Sequence, residues 1–230
     1  MLKKELKEYG NLLRTIPSWV LTMFIISIAA MNLFANKSIN IPVSWLALDC
    51  GIVFSWMAFL SMDIVVKHFG AKASIRLTIL STLMNVIISA MFFLGGIIPG
   101  SWGESFNGDP DIINTALNNT VKGNWYIVFG SAVAFIVAGI VNSLLNEGVG
   151  KLCKKDNFKS FAIRSYVSTT LGQFVDNLVF ALIVSQVLFG WTLIQCITCA
   201  ATGALCELLF EIVFSPIGWK VCSNWKNNGV

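Results

Sequence analysis

Charge and histidine are both scarce in this sequence. Only 12% of its 230 residues are charged, and His68 is the only histidine. Soluble domains carry roughly twice that share of charged residues. An H-E-x-x-H zinc site and any multi-histidine metal site are therefore excluded, and a Ser-His-Asp triad, which could use only His68, is disfavoured. There is also no G-x-x-x-x-G-K-[ST] motif for nucleotide phosphates. We predict no metal, no cofactor and no enzymatic activity.

Apolar residues, by contrast, are abundant and occur in long runs. They make up 56% of the chain, and the mean hydropathy is +0.74. A bilayer core is crossed by roughly 20 apolar residues in a helix, and only helices suit runs this long and uniform. Six stretches qualify: about 17–35, 43–62, 77–98, 125–147, 166–188 and 192–214. The predicted fold class is an all-α integral membrane protein with six transmembrane helices, in which residues 1–230 form a single transmembrane domain.

The basic residues are distributed unevenly between the two predicted membrane faces. Fourteen of the 16 fall on one face: Lys3, Lys4, Lys7, Arg14, Lys67, Lys72, Arg76, Lys151, Lys154, Lys155, Lys159, Arg164, Lys220 and Lys226. Only Lys37 and Lys122 fall on the other. The positive-inside rule then places both termini in the cytoplasm. We predict a multi-pass protein of the inner (cytoplasmic) membrane, whose basic loops meet lipid headgroups and no nucleic acid.

The longest loop, residues 99–124, contains a helix-start signal. Asp109 precedes Pro110, as a capping Asp precedes a proline in the first turn of a helix. A short surface helix over DIINTALNNT is therefore predicted. The loop is interpreted as a solvated connector, with a lid over an opening as the functional alternative.

Polar side chains lie inside the apolar fifth stretch. Gln173, Asp176, Asn177 and Phe180 are spaced i, i+3, i+4 and i+7, so they share one helix face. Asp176 lies near the middle of the span. A charge there costs about 2.5–3.5 kcal/mol on insertion scales, so such residues usually face a bundle interior or a water-filled cavity. We expect this face to bind a ligand.

Further polar residues occur in other spans. Asn85 lies near the middle of the third stretch, Glu207 and Glu211 are i, i+4 in the inner half of the sixth, and Asp63 ends the second. Amides such as Asn142 also bond between membrane helices for structural reasons alone. No basic residue lies deep enough to neutralise the buried carboxyls. We therefore expect them to be protonated or paired with a cation, a proton or an N–H-rich heterocycle.

Two segments carry a resemblance to a known family. FLSMDIVVKHFGAKASIR (59–76) resembles the first signature of the queuosine precursor transporter family, the VUT/YhhQ family. RSYVSTTLGQFVDNLVF (164–180) resembles its second signature. The six-span layout and the tail LLFEIVFSPIGW, in which a proline is expected to close the last span, are also similar. Asp63 and Asp176 match family aspartates, and Gly70 and Arg76 match the first motif.

The resemblance implies a membrane transporter that imports 7-deazaguanines, such as 7-cyano-7-deazaguanine, 7-aminomethyl-7-deazaguanine or queuine, by a secondary or facilitated mechanism. A guanine-like edge presents adjacent N–H donors that one carboxylate can accept. Amides suit its carbonyl, and Trp56 and Phe180 are the rings expected to stack on it. The expected substrate-binding residues are Asp176, Gln173, Asn177, Asn85, Glu207, Asp63, Phe180 and Trp56. Lys67 and Glu207 depart from the residue types common in the family.

Alternative functions stay open at the level of sequence. The chain has the size and span number of a substrate-binding subunit of an energy-coupling-factor vitamin transporter, which would need a partner ATPase. A non-transporting membrane scaffold or an intramembrane enzyme is the third alternative. The sequence does not decide between proton coupling and facilitated diffusion, and it leaves a homo-oligomer open.

Overall fold

The structure is a computed structural model that describes residues 2–153 and 155–228. Lys154, one of the basic residues behind the predicted topology, lies outside the described residues. In chain order the elements are α1 Leu2–Thr15, α2 Ser18–Phe34, β1 Ser38–Ile39, β2 Leu48–Asp49, α3 Ile52–Phe69, α4 Ala71–Ile97, a 3-10 turn Gly103–Phe106, α5 Pro110–Leu152, α6 Phe158–Phe180, a π-helical segment Ala181–Ser185, α7 Gln186–Phe189 and α8 Leu193–Asn228.

Within the described residues, five helical segments are long and apolar enough to cross a membrane. They are α3, α4, α5, α8 and the combined segment Phe158–Phe189. The residues of α1 and α2 together qualify as a sixth, but the chain bends there by 100°. Pro17 sits at this bend and disfavours a helical residue before it. The all-α membrane fold is therefore confirmed, with five or six spans.

The second predicted stretch, 43–62, is only partly helical. α3 begins at Ile52, and residues 38–49 instead form a two-stranded hairpin in which Ser38 pairs with Asp49 and Ile39 with Leu48. Pro42 lies in the connection between the strands and has no N–H for a helix. Residues 43–51, the first nine of the predicted span, thus belong to the hairpin and the turn after it, and they place Asp49 beside the helix bundle.

The predicted helix start at Asp109 is confirmed. Its carboxylate accepts the N–H groups of Asp111 at 3.1 Å and Ile112 at 3.2 Å. The predicted short surface helix, however, is not separate, because α5 runs unbroken for 43 residues. At 1.5 Å per residue it is about 64 Å long, about twice a bilayer core. Its first turns therefore project beyond the bundle, where Trp102 bonds to Asn114 and Asn118.

Pro216 does not close the last span as expected. α8 continues past it to Asn228. A proline removes the N–H that would bond the carbonyl four residues earlier. The Ser215 hydroxyl donates to the Ile212 carbonyl at 3.3 Å, which supplies a replacement donor and lets the helix continue.

The basic loops gather at one end of the bundle, here called the basic end. Arg76 bonds to Glu8 of α1 at 2.9 Å. Asp156, in the loop between α5 and α6, bonds to Lys67 at the end of α3 and to Lys226 near the end of α8, the latter at 2.8 Å. α1, α3, α4, α6 and α8 thus begin or end together. The hairpin and the 3-10 turn lie at the opposite end.

The bundle is polar along its axis and apolar on its outer surface. Buried serines, threonines, asparagines and carboxyls on α3, α4, α5, α6 and α8 face one another. Large apolar side chains such as Leu83, Met91 and Val213 are exposed on the outside. This is the reverse of a soluble bundle and suits a lipid surround. An apolar cluster that includes Phe24, Phe59 and Phe135 fixes α2, α3 and α5 beside this axis.

Candidate functional site

A cleft opens toward the end of the bundle opposite the basic end. It is narrow, with a cavity volume of about 30 Å³, room for about two water molecules. We call it the polar cleft. Its lining comes from α2, β2, α3, α5 and α6: Met31, Asn32, Ala35, Asp49, Gly51, Ile52, Ser55, Ser131, Asp176, Asn177 and Phe180.

The β-hairpin delivers Asp49 to the polar cleft through a tight turn. The N–H of Gly51 donates to the Asp49 carboxylate at 2.7 Å. A Cβ at Gly51 would lie 2.6 Å from the Met31 carbonyl oxygen and 2.8 Å from Asp49 Oδ1. A glycine is therefore required where the hairpin meets α2 and α3, and this close approach fixes the position of Asp49.

Asp176 and Asn177 project from α6 into the same cleft. Asp176 is 7% exposed, and its side chain forms no hydrogen bond within residues 2–153 and 155–228. The Nδ2 atoms of Asn177 and Asn32 are buried and also lack a partner in this part of the chain. Buried polar groups are nearly always hydrogen-bonded, so a group of unpartnered ones around a cleft indicates a ligand site.

Gly203 of α8 makes room for Asn177. A Cβ at this position would lie 2.6 Å from Asn177 Nδ2 and 3.1 Å from its Cγ. The absence of a side chain therefore lets the amide occupy the space between α6 and α8 beside the cleft.

The helix that carries Asp176 changes its winding directly after Phe180. Residues Ala181–Ser185 are π-helical, a geometry that is frequent at functional sites. The Tyr126 hydroxyl donates to the Ile183 carbonyl at 2.7 Å, and Gly130 gives Val184 close access to α5. These contacts from α5 hold the irregular turn and so fix the end of the helix where Phe180 borders the cleft.

Two further polar side chains lie behind the cleft lining. Glu207 of α8 is fully buried; one carboxyl oxygen accepts the Ser55 hydroxyl, and the other has no partner in the described residues. Gln173, one turn from Asn177 toward the basic end, is also fully buried with both amide atoms unpartnered there. Ser55 lines the cleft, so Glu207 is connected to it through one hydroxyl.

The ionisable side chains in and beside the polar cleft are acidic. The carboxyls of Asp49 and Asp176 are close enough to repel each other, and both act on Glu207. No lysine or arginine is in the cleft lining. A site of this kind favours cations or a neutral molecule rich in N–H donors. No group of three or more metal-binding side chains occurs among the described residues.

Asp63 lies deeper, in a separate cluster nearer the basic end. Its carboxylate accepts Asn142 Nδ2 at 2.9 Å, the Thr169 hydroxyl at 3.1 Å and the Ser165 hydroxyl. Ser165 also contacts the carboxyl of Glu211. We call Asp63, Ser165 and Glu211, with Asn142 and Thr169, the carboxyl cluster. It joins α3, α5, α6 and α8.

The expected site residues therefore divide into groups. Asp176, Asn177 and Phe180 line the polar cleft, Gln173 and Glu207 lie behind it, and Asp63 belongs to the carboxyl cluster. Asn85 and Trp56 belong to none of these groups.

Neighbouring helices explain the positions of these two residues. Trp56 stacks on Phe214 with ring centres 4.1 Å apart. Successive helical residues point about 100° apart, so Trp56 faces away from the cleft that its neighbour Ser55 lines. Asn85 is buried on α4, which packs mainly against α5 and not against α6.

Four polar lining residues were not among the expected site residues, namely Asn32, Asp49, Ser55 and Ser131. Asn32 and Asp49 were detectable, since each is a polar residue near the end of an apolar run. Ser55 and Ser131 carry no such signal, because serine is common in membrane helices for structural reasons.

The sequence profile described as "Putative vitamin uptake transporter" matches residues 49–221. No curated protein and no solved structure matches the chain. The matched segment includes Asp49, Asp63, Asp176 and Glu207, and it covers most of the helical bundle. The chain belongs to the putative vitamin uptake transporter family.

Proposed function

We propose that this transporter imports 7-deazaguanine precursors of queuosine and recognises them in the polar cleft. The observation that carries the proposal is the Asp176 carboxyl, which is buried beside the cleft without a hydrogen-bond partner in the described residues. A carboxyl in such a place is neutral until donors from a ligand pair with its ionised form.

The donor and acceptor pattern of the cleft matches a guanine-like edge. That edge carries a ring N–H, an adjacent amino group and a carbonyl oxygen. Asp176 can accept both N–H groups, as a carboxylate accepts paired donors elsewhere. The unpartnered Nδ2 atoms of Asn177 and Asn32 can donate to the carbonyl. Phe180 offers an aromatic surface for the ring system.

The amide donors also argue against a simple cationic vitamin. A cation would be bound by the carboxyls of Asp49 and Asp176 and would leave Asn32 and Asn177 still without an acceptor. A neutral heterocycle with two donors beside one acceptor satisfies both kinds of group. The family description names vitamins in general, and the deazapurine is proposed from the donor and acceptor pattern of the cleft.

The mode of transport proposed is secondary or facilitated, in the inner membrane with the basic end in the cytoplasm. The basic end gathers Arg76, Lys67 and Lys226 through contacts with Glu8 and Asp156. With this orientation the polar cleft opens on the outer side, as import requires. The sequence has no P-loop motif, so an ion gradient or metabolic trapping inside the cell supplies the direction of net import.

Uptake by the purified chain in liposomes tests the proposal. Labelled 7-cyano-7-deazaguanine should accumulate with the wild-type protein and with Glu104→Gln, a control in the exposed 3-10 turn. It should fail to accumulate with Asp176→Asn. Uptake that requires added ATPase subunits would instead indicate an energy-coupling-factor subunit. Binding of a vitamin and not of any 7-deazaguanine would overturn the substrate assignment.

A further inference from the structure

The hydrogen bonds of the carboxyl cluster require a proton on one of its two acids. The Ser165 hydroxyl lies within hydrogen-bonding distance of both Asp63 and Glu211. A serine has one O–H and can donate only once. Two ionised carboxylates on one hydroxyl would repel each other, so the second contact is donated by a carboxyl group to the serine oxygen. Asp63 and Glu211 together then hold at least one proton in this arrangement.

The partners of each acid indicate where that proton lies. Asp63 accepts Asn142 and Thr169 in addition to Ser165, so its oxygens are surrounded by donors, as an ionised carboxylate requires. Glu211 is fully buried, has only Ser165 as a partner, and its Oε2 is unpartnered among the described residues. A neutral acid tolerates such a site far better than an ion does. Glu211 is therefore the acid and Asp63 the carboxylate.

The surrounding charges do not neutralise the pair by direct contact. On α6, Arg164 donates through Nε to Asn146 at 2.6 Å, and its guanidinium lies against Gly150 instead of reaching Asp63 or Glu211. On α8, Glu207 lies one turn away, and Cys222 lies nearer the basic end with its thiol toward the Ile64 carbonyl.

The remaining helices around the pair contribute few titratable groups. On α5 the facing side chains are the amides of Asn142 and Asn146, and Glu147 points to the backbone of Ala71. On α4, Ser74 bonds to Ser143 of α5. Tyr166 of α6 bonds to Ser215.

The pair stands between the polar cleft and the basic end on shared helices. Ser55 and Asp63 are about two turns apart on α3, or about 12 Å, and Glu207 and Glu211 are one turn apart on α8. Buried polar atoms of Gln173, Glu207 and Glu211 that have no described partner occupy the region between. Two buried carboxyls on one face of α8, those of Glu207 and Glu211, thus lie between the cleft and Asp63.

We propose that Asp63 and Glu211, linked by Ser165, form the proton-coupling site of the transporter. This inference rests on the proposed transport function. In the resting state the pair holds one proton, on Glu211. One incoming proton is taken up by Asp63, and release of one proton on the other side restores the carboxylate, so that each cycle moves one proton.

The structure also indicates how proton uptake would change the conformation. Ionised Asp63 of α3 accepts bonds from Asn142 of α5 and from Ser165 and Thr169 of α6. Protonation replaces one acceptor site with a donor, so at least one of these contacts is lost. The three helices are then held less firmly near the basic end, which would favour opening toward that end.

Infrared difference spectroscopy tests the proton without any substrate. At neutral pH, purified wild-type protein in lipid should show a protonated-carboxyl band that is missing in Glu211→Gln and kept in Asp63→Asn. Glu104→Gln is the matched control and should keep the band. A spectrum of Glu211→Gln identical to that of the wild type would overturn the assignment.

A proton gradient imposed on proteoliposomes tests the coupling. Wild-type uptake of 7-cyano-7-deazaguanine should rise with an inward proton gradient, whereas Asp63→Asn, which cannot take up the incoming proton, should still bind the base but lose all stimulation. If Asp63→Asn does not fold, Ser165→Ala, which keeps both acids but removes their link, should lose the stimulation. Stimulation that survives in a folded variant, or that requires sodium instead of protons, would overturn the inference.

The two proposals can fail separately. If the wild type does not bind 7-cyano-7-deazaguanine, the proposed substrate is wrong, and the infrared band still tests the proton on Glu211. If the base binds and is transported but the band does not depend on Glu211, the proposed function stands and the coupling site is wrong.

Discussion

Asp63 and Asp176 are both buried aspartates on the axis of one helical bundle, yet their surroundings differ completely. Asp63 is fully buried and accepts hydrogen bonds from two neighbouring helices. Asp176 lines a cleft and receives none from the described residues. The fold supplies hydrogen-bond donors to the Asp63 carboxyl, whereas the Asp176 carboxyl is available to a ligand that enters the cleft. Two buried carboxyls can therefore have different roles. The hydrogen-bond partners of a carboxyl reveal its role better than its burial does.

Replacement of each aspartate by asparagine should separate these two roles, with the largest effect on stability at Asp63. Asp63→Asn keeps the size but turns an NH₂ group toward Ser165 or Thr169, so buried donors lose their acceptor. We expect a loss of about 2–3 kcal/mol. Asp176→Asn should leave stability unchanged or raise it, since an unpartnered buried carboxyl is replaced by a neutral group.

Unfolding of the two variants in detergent, followed side by side, measures this difference. Equal losses of stability would show that Asp176 also has partners within the fold and would remove the distinction between the two sites.

A change in the ligand should have the next largest effect. A 7-cyano-7-deazaguanine analogue without the exocyclic amino group offers Asp176 one donor instead of two. We expect calorimetry to give about tenfold weaker binding to the wild type, or somewhat more, because a hydrogen bond to a charged group contributes about 1.5–3 kcal/mol. The 7-aminomethyl derivative, whose guanine-like edge is intact, is the control. Equal affinities for all three compounds would place the recognition elsewhere.

Gly203→Ala should weaken binding without loss of fold. The new Cβ would lie 2.6 Å from Asn177 Nδ2, and the amide must rotate away from its place beside the cleft. We expect roughly tenfold weaker binding, equivalent to one displaced hydrogen bond. Gly148→Ala on α5, where a Cβ would meet nothing within 4 Å, is the matched control. Binding that is the same in both variants would mean that Asn177 does not contact the ligand.

The smallest effect is expected at the basic end, where the ion pairs are exposed. Hydrogen bonds from Lys226 and Lys67 lower the pKa of Asp156 to about 2. The stabilisation is therefore present above the ordinary Asp pKa and is lost as the pH falls through about 2. Asp156→Asn should lower the unfolding temperature only slightly, because these ion pairs are exposed and screened by salt. The two proteins should become equally stable in strong acid, and a difference that persists there would exclude the ion pairs as its cause.

Much of the fold could be predicted from hydropathy, because the lipid environment demands long apolar helices. The helix ends could not be predicted equally well. Residues 43–51 are apolar enough to belong to a span. Pro42 before them and the turn at Gly51 instead place them in the hairpin and its connection to α3. No proline lies between Pro110 and Asn124, so the short surface helix expected there continues without a break into the span as α5.

The site could be predicted only where it lies on one helix. The spacing of Gln173, Asp176 and Asn177 correctly placed them on one buried face. Periodicity does not tell which other helices face that side. Asn85 was therefore placed at the site although α4 packs against α5, and Asp49 was missed because a hairpin carries it there.

Calorimetric titration of 7-cyano-7-deazaguanine into the wild type and Asp176→Asn, repeated from mildly acidic to mildly alkaline pH, tests the central claim most directly. If Asp176 accepts the donors of the base, the wild type binds and the variant fails to bind at every pH, because an amide is neutral throughout and presents an NH₂ group to those donors. Equal binding by both proteins would contradict the claim and would remove Asp176 from substrate recognition.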